Sequence, residues 1–301
     1  VLDWHFAVYA ANERERLAAC LRSLSAALAG TNHLISVILN GSTDGSEAIA
    51  LAAARTDPCI EVWRIAHADK SNAINQFHAT IRKPAWLYGA ADGNVVIRPR
   101  ALQVMADRMA RDPHALAVSG IAINGRTMPK WTPERARGGR LMGNLHALRP
   151  DFLDRMTARG IRLPTGLYRG DGLLGTMAAH NLDPLTTPWD NARIAGEELA
   201  QVEVFQLSPW RASHLRRAFR RKINQIRGEI EKAAIRAIIA DRGFEALPDN
   251  ADDMIRTHLA THAPPPASGI DRYFQHLAIT RSTAAIRPQA PALAARRVGA
   301  D

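Results

Sequence analysis

The chain has 301 residues, 47% of them hydrophobic, enough for a sizeable core in one large domain or in a domain with a helical appendage. Its net charge of +10 attracts phosphates, whether of nucleotides, nucleic acid or lipid headgroups. No stretch approaches the roughly 18 consecutive apolar residues of a membrane span, and the N-terminal residues do not read as a signal peptide. Cys20 and Cys59 match no metal or redox spacing and read as buried thiols of a reduced, cytoplasmic protein.

Residues 6–11 are a short strand-like run. Leu17, Cys20, Leu21, Leu24 and Leu28 then recur at helical spacing, with Asn12 as the predicted N-cap. The unit repeats with a buried-strand run over 34–39, a polar loop over 40–46 and a helix over 47–55. A third strand over 60–65, a helix over 71–81 and a fourth strand over 86–90 complete the pattern. Strands alternating with helices predict a mostly parallel sheet covered on both faces, with ligands at the carboxyl ends of the strands.

The fourth strand runs into Asp92-Gly93-Asn94, then Val95-Val96-Ile97-Arg98-Pro99. Residues two apart leave an extended chain on the same side, so Asp92 and Asn94 would share one side of the strand end. Gly93 lets the backbone approach a ligand closely. Two such oxygen donors can hold a sugar hydroxyl or a hard cation, although Asp-Gly is also a common turn. There is no G-x-G-x-x-G after the first strand and no P-loop signature, which argues against dinucleotide enzymes and P-loop NTPases.

Four loops in order resemble those of the family 2 glycosyltransferases. They are Ala11-Asn12-Glu13, Asn40-Gly41-Ser42-Thr43-Asp44-Gly45-Ser46, the segment from Ala68 through Lys70 to Asn75, and Asp92-Gly93-Asn94-Val95. More loosely, Gly143-Asn144-Leu145-His146-Ala147-Leu148-Arg149 is similar to the strand near that family's acceptor site. Leu163-Pro164 with Gly170-Asp171 looks like the segment carrying its catalytic base. Arg221 to Gly228 stands where processive members carry Q-x-x-R-W.

The resemblance implies a GT-A fold, a nucleotide-diphospho-sugar transferase sheet flanked by helices, here with a C-terminal helical extension. It implies inverting transfer from a nucleotide sugar, a UDP-sugar being expected, to a glycan or lipid-linked acceptor of the cell envelope. Residues 1–207 would bind donor and acceptor, and 208–301 would be a basic helical region with a Pro/Ala-rich tail. Asp171 would be the general base, with an N-cap as its rival role. Ala11, Glu13, Asn40, Asp44, Lys70, Asp92, Gly93, Arg221 and Arg227 would bind the nucleotide sugar; an Asx-turn is the competing role of Asp44. Asp92 and Asn94 would hold Mn²⁺ or Mg²⁺, more weakly than a two-aspartate site because an amide oxygen is neutral. Arginines on the basic helix, including Arg217 and Arg220, would then supply more of the positive charge, unless they form a solvated face.

In the second half, 120–139 reads as an irregular loop that closes over the nucleotide or as an insertion. Residues 184–189 read as loop and 200–207 as a strand. A basic amphipathic helix starts near Trp210, with Ile223, Ile226, Ile230, Ala234 and Ile238 as its apolar stripe. Such a helix packs on a core or lies on an anionic membrane, so peripheral contact at the inner membrane face is one reading. His146 and His180 read as packing residues, with His214 a weaker metal candidate. A helix over 270–279 precedes a tail expected to be poorly ordered. The alternatives are a nucleotidyltransferase, a nucleic-acid-binding protein using the arginine-rich helix, and a degenerate, nucleotide-binding transferase.

Overall fold

A computed structural model describes residues 1–124, 138–205, 212–284 and 290–299, and the side chains of all of these except 212–217 and 284. The first half alternates as predicted: β1 (Leu2–Ala10), α1 (Leu17–Leu28), β2 (His33–Asn40), α2 (Ser46–Thr56), β3 (Ile60–Ile65), α3 (Lys70–Gln76) and β4 (Ala85–Asp92). There follow β5 (Val95–Ile97), α4 (Ala101–Arg111), β6 (Ala117–Ala122), β7 (Leu145–Leu148), α5 (Pro150–Ala158), α6 (Gly170–Ala179) and β8 (Ile194–Val204). The C-terminal part adds α7 (Ala212–Arg242), α8 (Ala251–Leu259), α9 (Ile270–Ala284), α10 (Ala290–Leu293) and β9 (Arg296–Val298).

Among the described residues one nine-stranded sheet has the order β5-β8-β6-β7-β4-β1-β2-β3-β9. β4, β1, β2 and β3 are parallel neighbours, and β6 runs parallel to β8. β7 enters antiparallel between β4 and β6. Chain order reverses at β1, which lies between β2 and β4, and the carboxyl ends of β1 and β4 are the place where open α/β sheets keep their ligand crevice. Tyr9 pairs with Asp92 there, and the start of β7 comes to the same end of the sheet through Ala91 and Leu145.

Alternation along β1 divides the core. Phe6 and Val8 face a cluster built with Leu17, Leu21 and Leu24 of α1 and Met105 of α4. Ala7 and Tyr9 face the opposite cluster, with Ile74 of α3, Phe152 of α5 and Leu174 of α6. Ala234 and Ile239 of α7 join that second cluster, while Ile223 and Ile226 nearer its start pack on Phe274 and Ala278 of α9, so the apolar stripe is shared between the sheet domain and α9. No helix among the described residues is long and apolar enough to cross a membrane.

Several local expectations are corrected. Asn12 does not cap α1, which starts five residues later. It adopts a left-handed φ of 56° and accepts a hydrogen bond from the Thr43 N–H at 2.8 Å, tying the first loop to the second. The helix over 71–81 becomes the seven residues of α3 and a π turn, Phe77–Ile81. Cys20 is buried, but Cys59 is partly exposed. The tail is ordered over 290–299, where β9 pairs antiparallel with β3. β3 would otherwise end the sheet with an open row of peptide groups, which a short strand covers. Most of the predicted loop 120–139 lies outside the described residues.

Candidate active site

The site is assembled by loops fastened to each other at the carboxyl edge of the sheet. Asn40, buried at the end of β2, accepts a hydrogen bond from the Asp69 N–H at 2.6 Å. Asp69 caps α3 through the Asn72 N–H and also accepts from the Gly166 N–H at 2.7 Å. Ser71 donates to the Leu167 carbonyl, while Asn75 donates to the Leu163 carbonyl and accepts from the Leu163 N–H. The segment leading into α6 is thereby stitched to α3, and α6 carries Asp171 in its first turn.

Lys70, the first residue of α3, stands between the two principal acids. Its Nζ lies 2.6 Å from Asp92 Oδ1 and 2.9 Å from Asp171 Oδ2. Burial alone would lower its pKa, but the carboxylates of Asp171 and Asp92 outweigh it and hold the ammonium well above the usual lysine range. Burial pushes both carboxyls up. In Asp171 the opposing fields of Lys70 and His146 win and it sits below the ordinary range, whereas Asp92, facing Asp171 as well, sits above.

Asn144, at the approach to β7, donates to Asp92 Oδ2 at 3.4 Å. The Gly93 N–H donates to the Tyr9 carbonyl, and a Cβ on Gly93 would lie 2.9 Å from that of Ala10, so only glycine fits this approach. Asn94 donates through Nδ2 to Glu13 Oε1 at 3.3 Å, while its Oδ1 is buried without a partner. Glu13 also pairs with Arg16 at 2.9 Å, and the Arg16 guanidinium lies 3.7 Å from the centre of the Phe205 ring. A cavity of about 410 Å³ opens beside Asn94, lined in part by Arg16, Glu203 and Phe205.

Lys70, Asp92 and Asp171 therefore meet, with Asn94 and Glu13 adjoining and Ala11 exposed at the rim. Other expected positions have local partners. Asp44 accepts from the Arg14 N–H at 2.9 Å and from both the N–H and the hydroxyl of Ser46, the Asx-turn geometry. Partial burial works against its ionisation, but those hydrogen bonds hold its pKa below the usual carboxylate range. Arg227 does not project as a free phosphate grip. It pairs at 2.8 Å with Glu231 and with Asp252 and donates to the Gly166 carbonyl. Arg221 is exposed on α7, and the side chains of His214 and Arg217 lie outside the described residues. His146 holds the Met142 carbonyl at 3.0 Å, and His180 packs edge-on against Trp189. Asn144, Ser71 and Glu231 carried no role in the sequence reading. Asn144 could have been found only from its place in the loop before β7.

The donor set does not fit a divalent cation well. Where Mg²⁺ meets a substrate's phosphates the protein supplies one or two carboxylates; this strand tip has one, and among the described residues no group of three His, Cys, Asp or Glu side chains is arranged to hold an ion. Asp92 already has Lys70 on one oxygen and Asn144 on the other. The orphaned Asn94 Oδ1 is a neutral donor.

A sequence model for Glycosyl transferase family 2 matches residues 6–165, more than half of the chain. The chain belongs to glycosyl transferase family 2. Its GT-A fold is shared with a mannosyltransferase, PcManGT, from Pyrobaculum calidifontis in complex with GDP-Man and Mn²⁺. That similarity has a TM-score of 0.59 at 17% identity and covers 97% of this chain and 77% of the other. It is shared also with residues 1–349 of TarS from S. aureus, at a TM-score of 0.55 and 14% identity, covering 86% and 72%. The complex of that protein with UDP-GlcNAc superposes with a TM-score of 0.54 at 13% identity, over 93% and 81%. No curated protein sequence gives a significant match. The family-2 match ends at residue 165, before the Asp171 turn and α7.

Proposed function

We propose that the protein transfers a sugar from a nucleoside diphosphate sugar, a UDP-sugar being the leading candidate, to a hydroxyl of a glycan or lipid-linked cell-envelope acceptor. The observation that carries this reading is the Asp92–Lys70–Asp171 cluster at the crevice beyond β1 and β4. The GDP-Man and UDP-GlcNAc complexes of the two proteins that share the fold support the donor class.

Asp171 is the general base. Its Oδ1 is buried without a hydrogen-bond partner, and its lowered pKa keeps it ionised at neutral pH. The acceptor oxygen attacks the anomeric carbon as the bond from that carbon to the diphosphate oxygen breaks. The hydroxyl proton passes to Asp171, the bonding pair leaves with the diphosphate, and one displacement inverts the centre. Asp92 orients the donor, and Asn144 holds Asp92. Addition is of single sugars. Residues 1–207 form the donor and acceptor unit, and 208–301 its basic extension. Phe219, which precedes Arg220 and Arg221 on α7 and packs on Phe274 of α9, is exposed, as are Ile270 and Tyr273 of α9, and these support peripheral contact with an anionic membrane at the cytoplasmic face.

Transfer from UDP- and GDP-sugars, read as released nucleotide, tests the reading. Asp171→Asn is expected to cut turnover about a thousandfold while nucleotide binding persists. Undiminished turnover in that variant would remove Asp171 from the chemistry.

A further inference from the structure

The position expected to need a metal already holds a cation supplied by the chain. Lys70 Nζ touches Asp92 Oδ1 and Asp171 Oδ2 at 2.6 and 2.9 Å, and its side chain is 31% exposed, so it faces the crevice rather than the core. Its backbone is fixed from both sides. Asn40 holds the preceding residue through the Asp69 N–H, and Asp69 caps the helix that Lys70 opens. The second donor at the strand end is the neutral Asn94, so Asp92 is the one carboxylate of the strand tip, and Lys70 holds it together with Asp171 of α6. A divalent ion at Asp92 would have to displace Lys70 or sit beside it in like-charge repulsion.

We propose that Lys70 is the resident cation of the donor site, facing the diphosphate where a divalent ion would stand, so that this protein binds nucleoside diphosphates without a metal. The proposal rests on the donor reading above and goes beyond it. An ammonium on a flexible stem can keep one donor on Asp92 while turning others to a phosphate oxygen, since it carries three N–H groups. Asn94 fits the same arrangement. A second carboxylate there would attract a competing ion more strongly than the neutral amide does.

The test is calorimetric binding of UDP and of GDP to the full chain at fixed ionic strength, in Mn²⁺ and in EDTA. The expected result is a Kd that agrees within about threefold between the two conditions, with Lys70→Met weakening binding in EDTA by about tenfold or more. Titration with Mn²⁺ alone should give no saturable heat for the parent. A Lys70→Met, Asn94→Asp double variant should acquire a Mn²⁺ requirement for the nucleotide. Nucleotide binding by the parent that appears only with Mn²⁺ would overturn the proposal and leave the donor reading standing. That comparison needs no variant to fold. Unchanged binding by a folded Lys70→Met protein would overturn it equally. Failure of both nucleotides under both conditions would overturn the donor reading and the proposal together.

Discussion

At Gly143 the chain passes so close to the base that a Cβ there would overlap the Asp171 carboxylate and lie 3.2 Å from Lys70 Nζ. The atoms in the way are the far ends of side chains, which can swing aside at little cost to folding. Gly143→Ala is therefore expected to leave stability within about 1 kcal/mol of the parent while turning Asp171 off its line. Turnover should fall by about tenfold to a hundredfold, because catalytic groups tolerate little misplacement. Paired melting and turnover measurements check this, and a variant of normal activity would show that Asp171 need not occupy its observed place. The residues of the cluster were legible in the sequence because Lys70, Asp92 and Asp171 each stand in a recognisable segment. Their meeting was not, since Lys70 and Asp171 are 101 positions apart. Asp44 shows the limit from the other side. Its motif was visible, but whether its oxygens face a ligand or the chain depends on Arg14, which only the folded loops bring to it.

The long helix α7 was legible as an element, and at Arg227 the structure departs from the expected role. Its arginines suggested a grip on phosphate, yet Arg227 reaches inward to Glu231, one turn along and 1% exposed, and to Asp252 of α8. Glu231 in turn accepts from the Tyr168 N–H, three residues before Asp171. The i,i+4 spacing of Arg227 and Glu231 stands in the sequence, but periodicity cannot say that this polar pair faces the core. Removing the guanidinium strands a buried carboxylate, so Arg227→Ala is expected to destabilise the fold by about 3 kcal/mol. Glu231→Gln in the Arg227→Ala background should recover part of that loss, because the amide keeps an oxygen for Tyr168 without the charge. Urea unfolding of the single and double variants measures the coupling; additive losses would mean the pair is not a unit. β9 was missed for a related reason. Three residues of an Ala/Pro/Arg tail carry no strand signal, and only the open edge of β3, with Glu61 3.5 Å from Arg297, makes them one.

Across the whole molecule the sheet carries polar groups in its interior, and these set how the fold responds to acid. His5 on β1 is wholly buried. Its Nδ1 accepts the Lys83 N–H at 2.8 Å, so Nε2 carries the proton and donates to Ser36 Oγ, which donates to Glu61 Oε1. Protonation would set a second donor against the Lys83 N–H. Burial is the main cause that lowers His5 to about 4, with Glu61 and the Lys83 backbone hydrogen bond opposing and the Lys83 charge assisting. Burial, with Arg82 and His146 adding to it, lowers His78 to about 3. Both folded values lie below the unfolded value near 6.5, so between these limits the unfolded chain binds more protons. The stability these histidines contribute is whole above about pH 6.5 and is lost as pH falls toward 4 and 3. Each should account for a loss on the order of 3 kcal/mol by pH 4. A chain already at +10 gains further self-repulsion on the same path. Urea midpoints at pH 7.5, 5.5 and 4.5 are therefore expected to fall steeply, and His5→Gln, which keeps an acceptor and a donor but cannot titrate there, should flatten the slope. Midpoints that hold level down to pH 4.5 would mean that His5 and His78 take up their protons in the folded state without cost, against the hydrogen bonding seen at His5.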